Sequence, residues 1–130
     1  IALDESIWTT SNLMQAIRAE ACDTVVVKLT KMGGLTGARR CGELAREAGL
    51  GLLGGGLTES RLALTASAHL FRYLRIEDPV DLNGPLFRAD DPVASGPRID
   101  EGDVVLPDRP GIGCEISAEK LELYGCRSNV

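Results

Sequence analysis

Four short apolar runs recur about every 25 residues, each followed by a polar or glycine-rich break and then a helical pattern. They are Ile1-Ala2-Leu3, Thr24-Val25-Val26-Val27, Leu50-Gly51-Leu52-Leu53 and Tyr73-Leu74-Arg75-Ile76. The β-branched run at 24–27 carries no alternation of polar residues, which is the pattern of a strand buried on both faces of a parallel sheet. Between the runs, Leu13, Met14 and Ile17 share a helical face after the capping-type residues Thr9 to Asn12. Thr36 is placed to cap a second helix through Ala48, and Ser60 to Leu70 is a third. Strand and helix in this alternation predict an α/β fold with a parallel sheet, either doubly wound or closed as a barrel. From Pro92 onward, proline and glycine punctuate short pieces such as Val104-Val105-Leu106, and Glu119 to Tyr124 is a short terminal helix. The chain is therefore divided at 91, into an α/β portion (1–91) and a tail (92–130).

Composition narrows the function. The net charge of −5 and an aromatic content of 4% disfavour a nucleic-acid surface. No run is long and apolar enough to span a bilayer. Cys22, Cys41, Cys114 and Cys126 lack the spacing of a zinc site and suit a reducing, cytoplasmic setting, with a Cys114–Cys126 disulfide disfavoured. The chain opens inside an apolar segment, so it is expected to be a segment of a longer protein.

The polar residues of interest end successive strands: Asp4 and Glu5, then Lys28, then Gly54 to Gly56, then Glu77, Asp78 and Asp81. In a parallel β/α barrel those ends share the face that hosts the active site. Strands must end in polar loops in any case, so the ordered series carries more than each member. Lys28 directly ends the valine run, where an ammonium is costly to bury unless paired. A strand-end lysine facing a pocket can move a proton; snorkelling to the rim is the simpler role. Asp4 can donate oxygen to a hard divalent cation or cap the next helix. Asp4 and Glu5 point to opposite faces if they are still in a strand. His69 is a packing or surface residue, and the glycine clusters match no phosphate-binding motif.

Three motifs, Ala2-Leu3-Asp4-Glu5-Ser6, Val27-Lys28-Leu29-Thr30-Lys31-Met32-Gly33-Gly34-Leu35 and Asp81-Leu82-Asn83-Gly84-Pro85, occur in order, with 24 residues from Asp4 to Lys28. Together with Asp108-Arg109-Pro110-Gly111-Ile112-Gly113 and Lys120-Leu121-Glu122, they resemble the carboxyl-terminal part of the enolase superfamily, in its muconate cycloisomerase subgroup. The resemblance implies strands 5 to 8 of a modified (β/α)8 barrel, with a tail that packs on a capping domain. It implies that Asp4 is a ligand of Mg²⁺ (or Mn²⁺) and Lys28 the catalytic lysine, with Asp81, Asn83, Gly56 and Glu5 in substrate binding. The implied chemistry is proton transfer α to a carboxylate through an enediolate-like intermediate. A neighbouring cation and a dry pocket would lower the pKa of Lys28, while Lys31 is expected to be solvated or salt-bridged and of lesser consequence. The other metal ligands and a second lysine of the family precede Ile1, so this segment alone is expected to be inactive. Asp81-Leu82-Asn83 replaces the Asp-x-Asp of dipeptide epimerases, which favours a muconate-type cycloisomerase acting on a small dicarboxylate. A dipeptide epimerase or N-acylamino acid racemase is the second reading, and a non-catalytic barrel fragment the third. A homo-oligomer is expected of the intact protein, with no nucleic-acid or membrane partner.

Overall fold

The computed structural model describes residues 1–125. A parallel three-stranded sheet is built from β1 (Ala2–Leu3), β2 (Thr24–Val27) and β3 (Gly51–Gly54), in the order β1-β2-β3. Ala2 pairs with Thr24 and Thr24 with Gly51, so the amino ends are level, β2 and β3 end together at Val27 and Gly54, and β1 stops at Leu3, opposite Val25. Helix α1 (Thr10–Arg18) connects β1 to β2, α2 (Gly34–Glu47) connects β2 to β3, and α3 (Arg61–Tyr73) follows β3. The register and the crossovers together bring every strand-end residue to one edge of the layer.

Local chemistry explains the helix starts. Thr9 and Asn12 form a reciprocal capping box on α1: the Thr9 hydroxyl accepts from the Asn12 N–H, and the Asn12 side chain accepts from the Thr9 N–H. Asp4 takes no part in that cap. The expected cap of α2 at Thr36 is replaced by Gly33, whose φ of 75° is a left-handed conformation that glycine adopts without steric cost.

Val25 and Val27 are fully buried and pack in one core with Leu13, Ala38, Cys41, Ala45, Leu64, Leu70 and Phe71. Val26 is only half-buried. The expectation of a strand buried on both faces is corrected accordingly: the helices cover one face, and Val26 and Lys28 lie on the other.

A second correction concerns Tyr73–Ile76, which is not a strand. Helix α3 runs through Tyr73, Leu74 caps it, and Arg75 turns the chain at φ 50°. Leu64, Leu70, Phe71 and Leu74 are all buried at helical spacing, and Leu74 lies against Gly42 of α2. That packing extends the helix. Residues 79–82 instead pass beside β3, where the Asp81 N–H donates to the Gly54 carbonyl at 3.0 Å and Leu82 is buried.

After a 3-10 turn at Gly84–Phe87 come the short strands β4 (Val93–Ser95), β5 (Arg98–Asp100), β6 (Asp103–Val105) and β7 (Glu115–Ile116), then α4 (Ala118–Tyr124). β4 pairs with β7 and β5 with β6, both antiparallel. His69 meets the tail, its Nε2 3.1 Å from the Ile112 carbonyl, as expected of a packing residue. Cys114 is a free thiol, and Cys126 lies outside the described residues. Among the described residues no helix is long and apolar enough to cross a membrane.

Candidate functional site

β1 stops at Leu3, and the chain turns at once through Glu5 and Ser6. The strict alternation of a strand therefore ends before Asp4, and both acids reach the same side. The condition for opposite faces, that both acids are still in a strand, is not met. The Lys28 ammonium lies 2.8 Å from Asp4 Oδ2 and 3.0 Å from Glu5 Oε1. Lys31 lies 2.6 Å from the other Asp4 oxygen, Oδ1, and also donates to the Asp4 carbonyl. Two lysines three residues apart thus share one carboxylate. Trp8 braces the turn by donating its indole N–H to the Glu5 carbonyl at 2.8 Å.

Burial separates the two lysines from the acids. The Lys28 and Lys31 side chains are 10% and 2% exposed, whereas Asp4 is 36% and Glu5 66% exposed. Of the two alternatives expected for Lys31, solvated or salt-bridged, the structure shows the salt bridge, and it is buried. It follows one turn after Lys28, and the Met32 N–H bonds the Lys28 carbonyl, so the tightening backbone carries Lys31 inward to Asp4.

Burial pushes the Asp4 carboxyl up, but hydrogen bonds from Lys28 and Lys31 and their charges outweigh it, leaving its pKa below 3.8. Lys28 is shifted above its ordinary value, first by its hydrogen bond to Asp4, against desolvation, and with a further contribution from Glu5. The expected lowering is therefore reversed in this arrangement: two carboxylates within 3.0 Å favour the charged ammonium more than burial disfavours it.

The glycines after β3 form the adjoining wall. A side chain at Gly55 would press on the Lys28 stem, its Cβ 3.0 Å from Lys28 Cε. At Gly56 it would meet the Asp81 carbonyl at 2.7 Å and Glu59 Oε2 at 2.9 Å. Glu59 is a residue that sequence reasoning passed over. Its Oε1 accepts from the Thr30 hydroxyl at 3.1 Å and its Oε2 from the Leu57 N–H at 2.9 Å, which ties the loop after β3 to the loop after Lys28. The available signal was an acid three residues beyond a triple glycine at a strand end. Asp81 and Asn83 are both exposed and line an open groove of about 1020 Å³ with Phe71, Ile76 and residues of the β5–β6 hairpin. Lys28, Asp4 and Glu5 do not line that groove, so its volume says little about the lysine–carboxylate cluster.

Ionised Asp4 is a suitable hard oxygen donor. Among the described residues, however, no group of three or more His, Cys, Asp or Glu could hold a metal ion. The cluster can offer one or two ligands to a cation and cannot enclose one.

Residues 1–120 match the family model described as enolase C-terminal domain-like. The chain is 33% identical over 115 residues to the L-Ala-D/L-Glu epimerase of Clostridium acetobutylicum, covering 88% of this chain and 32% of that protein. It is 30% identical over 122 residues to muconate cycloisomerase 1-1 of Acinetobacter lwoffii, covering 93% and 32%. The crystal structure of a muconate lactonizing enzyme from Klebsiella pneumoniae superposes with a TM-score of 0.89 at 31% identity, over 95% of this chain and 35% of that one. The chain thus spans about a third of the length of the curated relatives it matches. With the matched model reaching from Ile1 to Lys120 and the α/β architecture agreeing, the chain belongs to the enolase superfamily, as an enolase C-terminal domain-like segment.

Proposed function

We propose that this chain supplies one acid/base lysine and one metal-ligating carboxylate to an isomerase that moves a proton α to a substrate carboxylate. The observation that carries the reading is the Lys28 ammonium at the end of β2, 10% exposed and held by Asp4 and Glu5. Lys28 is the proton carrier, and Asp4 is the oxygen donor this chain offers to Mg²⁺ or Mn²⁺. The cation, when bound, stabilises negative charge developing on the substrate carboxylate. Glu5 and Lys31 orient the pair: Glu5 shares the ammonium, and Lys31 fixes the Asp4 carboxylate. Gly56 leaves room at the mouth, and Asp81 and Asn83 approach the substrate from the loop after α3.

In the full barrel, β1, β2 and β3 correspond to strands 5, 6 and 7, and residues 79–82 take the place of the eighth. Residues 1–91 would form the carboxyl-terminal half of the barrel, and the tail from residue 92 would return to the capping domain. The remaining ligands and the second lysine belong to the preceding part of the intact enzyme.

A muconate-type cycloisomerase acting on a small dicarboxylate is the first reading. It is supported by the neutral amide at Asn83, which suits an anionic substrate better than an ammonium. A dipeptide epimerase or N-acylamino acid racemase is the second, supported by the 33% identity to the Clostridium acetobutylicum epimerase. The test is to incubate the intact enzyme and Mg²⁺ in D₂O with cis,cis-muconate, with L-Ala-L-Glu and with an N-acyl amino acid. Lactone formation supports the first reading, and deuterium at an α-carbon of the other substrates the second. No turnover or exchange with any of them, in a folded and metal-loaded protein, overturns both.

A further inference from the structure

Helix α3 begins directly after the loop that carries Gly56 and Glu59, and its start is held in an unusual way. The first N–H groups of a helix have no partner within it, and the N-cap side chain ordinarily satisfies one of them. Ser60 occupies the N-cap position, yet its side chain makes no capping bond. The acceptor comes instead from 30 residues downstream: Asp91 Oδ2 receives the Arg61 N–H at 2.8 Å. Asp91 Oδ1 receives the Val93 N–H at 2.9 Å, so the same carboxylate also shapes the entry to β4. Arg61 returns the grip, donating to the Val93 carbonyl, with its Nε 3.8 Å from Asp91 Oδ1. Lys120 of α4 adds a hydrogen bond to the Asp91 carbonyl at 3.1 Å. The Asp91 side chain is only 13% exposed, a setting in which such bonds are little weakened by water.

We infer that Asp91 is a positioning residue: a capping carboxylate, delivered by the tail, that fixes the first turn of α3 and through it places Glu59 against the loop of Lys28. The path is short. Glu59 precedes Arg61 by two residues, and its Oε1 is bonded to Thr30, two residues beyond Lys28. Both sides of Glu59 are crowded, since a Cβ at Gly84 would stand 2.6 Å from its N and one at Gly56 2.9 Å from its Oε2. A shift of the helix start therefore moves the Glu59 carboxylate rather than being absorbed by slack. This inference rests on the proton-transfer reading for its catalytic consequence and stands on geometry alone for the capping.

The experiment uses the intact enzyme with Asp91→Ala, Asp91→Asn, Glu59→Gln and the double variant Asp91→Ala/Glu59→Gln. Amide hydrogen exchange at 61–63 is expected to accelerate at least tenfold in Asp91→Ala and less than threefold in Asp91→Asn, because an asparagine oxygen caps about as well as aspartate. Wild-type exchange at these amides in Asp91→Ala overturns the capping role, whatever reaction the enzyme performs. The catalytic half is read from kcat/KM. Asp91→Ala is expected to lower it at least tenfold in the wild-type background and less than twofold in the Glu59→Gln background, the non-additivity of residues acting through one another. Penalties that simply multiply, or a loss in Asp91→Asn as large as in Asp91→Ala, overturn action through Glu59. An enzyme without the proposed isomerase activity refutes the functional reading and the catalytic half together, and leaves the exchange measurement to decide the cap.

Discussion

Lys31 lies 2.6 Å from Asp4 Oδ1, with its side chain 2% exposed, 27 residues along the chain from its partner. It shares that carboxylate with Lys28, each lysine on its own oxygen, and holds it still. Lys31→Ala is expected to destabilise the fold by about 1–3 kcal/mol, the cost of leaving Asp4 Oδ1 and the Asp4 carbonyl without their donor while Lys28 keeps the other oxygen. The value stays below the roughly 3–5 kcal/mol of a fully buried pair because Asp4 is 36% exposed. Denaturant midpoints of the two proteins measure it. A change under about 0.3 kcal/mol would show that water replaces Lys31 at no cost.

Asp4→Asn removes the charge from both lysine contacts while keeping the shape. Turnover of the intact enzyme is expected to be lost, and the Mg²⁺ concentration needed for any residual activity to rise. The folded state is expected to remain, since the amide oxygen still accepts from one lysine and the partly exposed site lets water serve the other. The measurement is activity titrated against Mg²⁺, with circular dichroism as the check on folding. An unaltered metal dependence would remove Asp4 from the cation site.

The tail is fastened by a pH-sensitive contact. Hydrogen bonds from Lys120 and Tyr124 to Asp90 bring its pKa down to about 2 from 3.8. A depressed carboxylate contributes stability above its unfolded pKa and loses it as pH falls through the folded value. The docking of α4 should therefore be intact at pH 5 and weaken between about pH 4 and 2. Tyr124 is shifted upward by the same bond, so its contribution is present below pH 10 and lost as pH rises beyond it. Amide exchange in α4 across pH, corrected for the intrinsic rate, reads both limbs. Asp90→Asn is expected to abolish the acid limb; an unchanged acid limb would place the titrating group elsewhere.

Sequence alone made the place of Lys28 legible, because a charge directly after three valines marks a strand end where an ammonium needs a partner. The strands at Thr24–Val27 and Gly51–Gly54 were legible for the same reason: short apolar runs with glycine or polar stops. Lys31 was not, because its burial depends on Asp4, a partner distant in sequence. Nor was the end of α3, since Tyr73-Leu74-Arg75-Ile76 is apolar enough for a strand, whereas the packing of Leu74 on Gly42 carries the helix through Tyr73 and Arg75 turns the chain away. Glu59 and Asp91 were hidden for a related reason. Their roles come from where loops meet, and the sequence near each shows only an acid in a turn.

The charge of the loop after α3 should select the substrate. Asp81 and Asn83 are exposed, and the Asp81 carbonyl lies beside Gly56 at the end of β3. Asn83→Asp adds a second negative charge there. It is expected to lower kcat/KM for a dicarboxylate and raise it for a dipeptide with a free ammonium, each by roughly fivefold to tenfold, about the 1–1.4 kcal/mol of one partly screened charge interaction. Assaying both substrate classes in wild type and variant decides. Equal effects on both classes would mean that position 83 does not face the substrate.

The last expectation concerns Lys28 itself. If this lysine carries the proton, Lys28→Ala in the intact enzyme should cut deuterium incorporation from solvent into the substrate by about 10²–10⁴-fold. Lys31→Ala should cost less, acting only through Asp4. The neighbouring acids also predict a pH effect. Glu5 is one of the two carboxylates that raise the pKa of Lys28. Removing its charge in Glu5→Gln should lower that pKa, so that the free amine is reached at lower pH. The limb of the exchange profile that rises with pH is therefore expected to move to lower pH in Glu5→Gln, with the maximum rate less affected than in Lys28→Ala. A limb that stays in place would show that Glu5 does not sense the ionisation of the reacting group. Wild-type exchange in Lys28→Ala would end the assignment of the proton to this lysine.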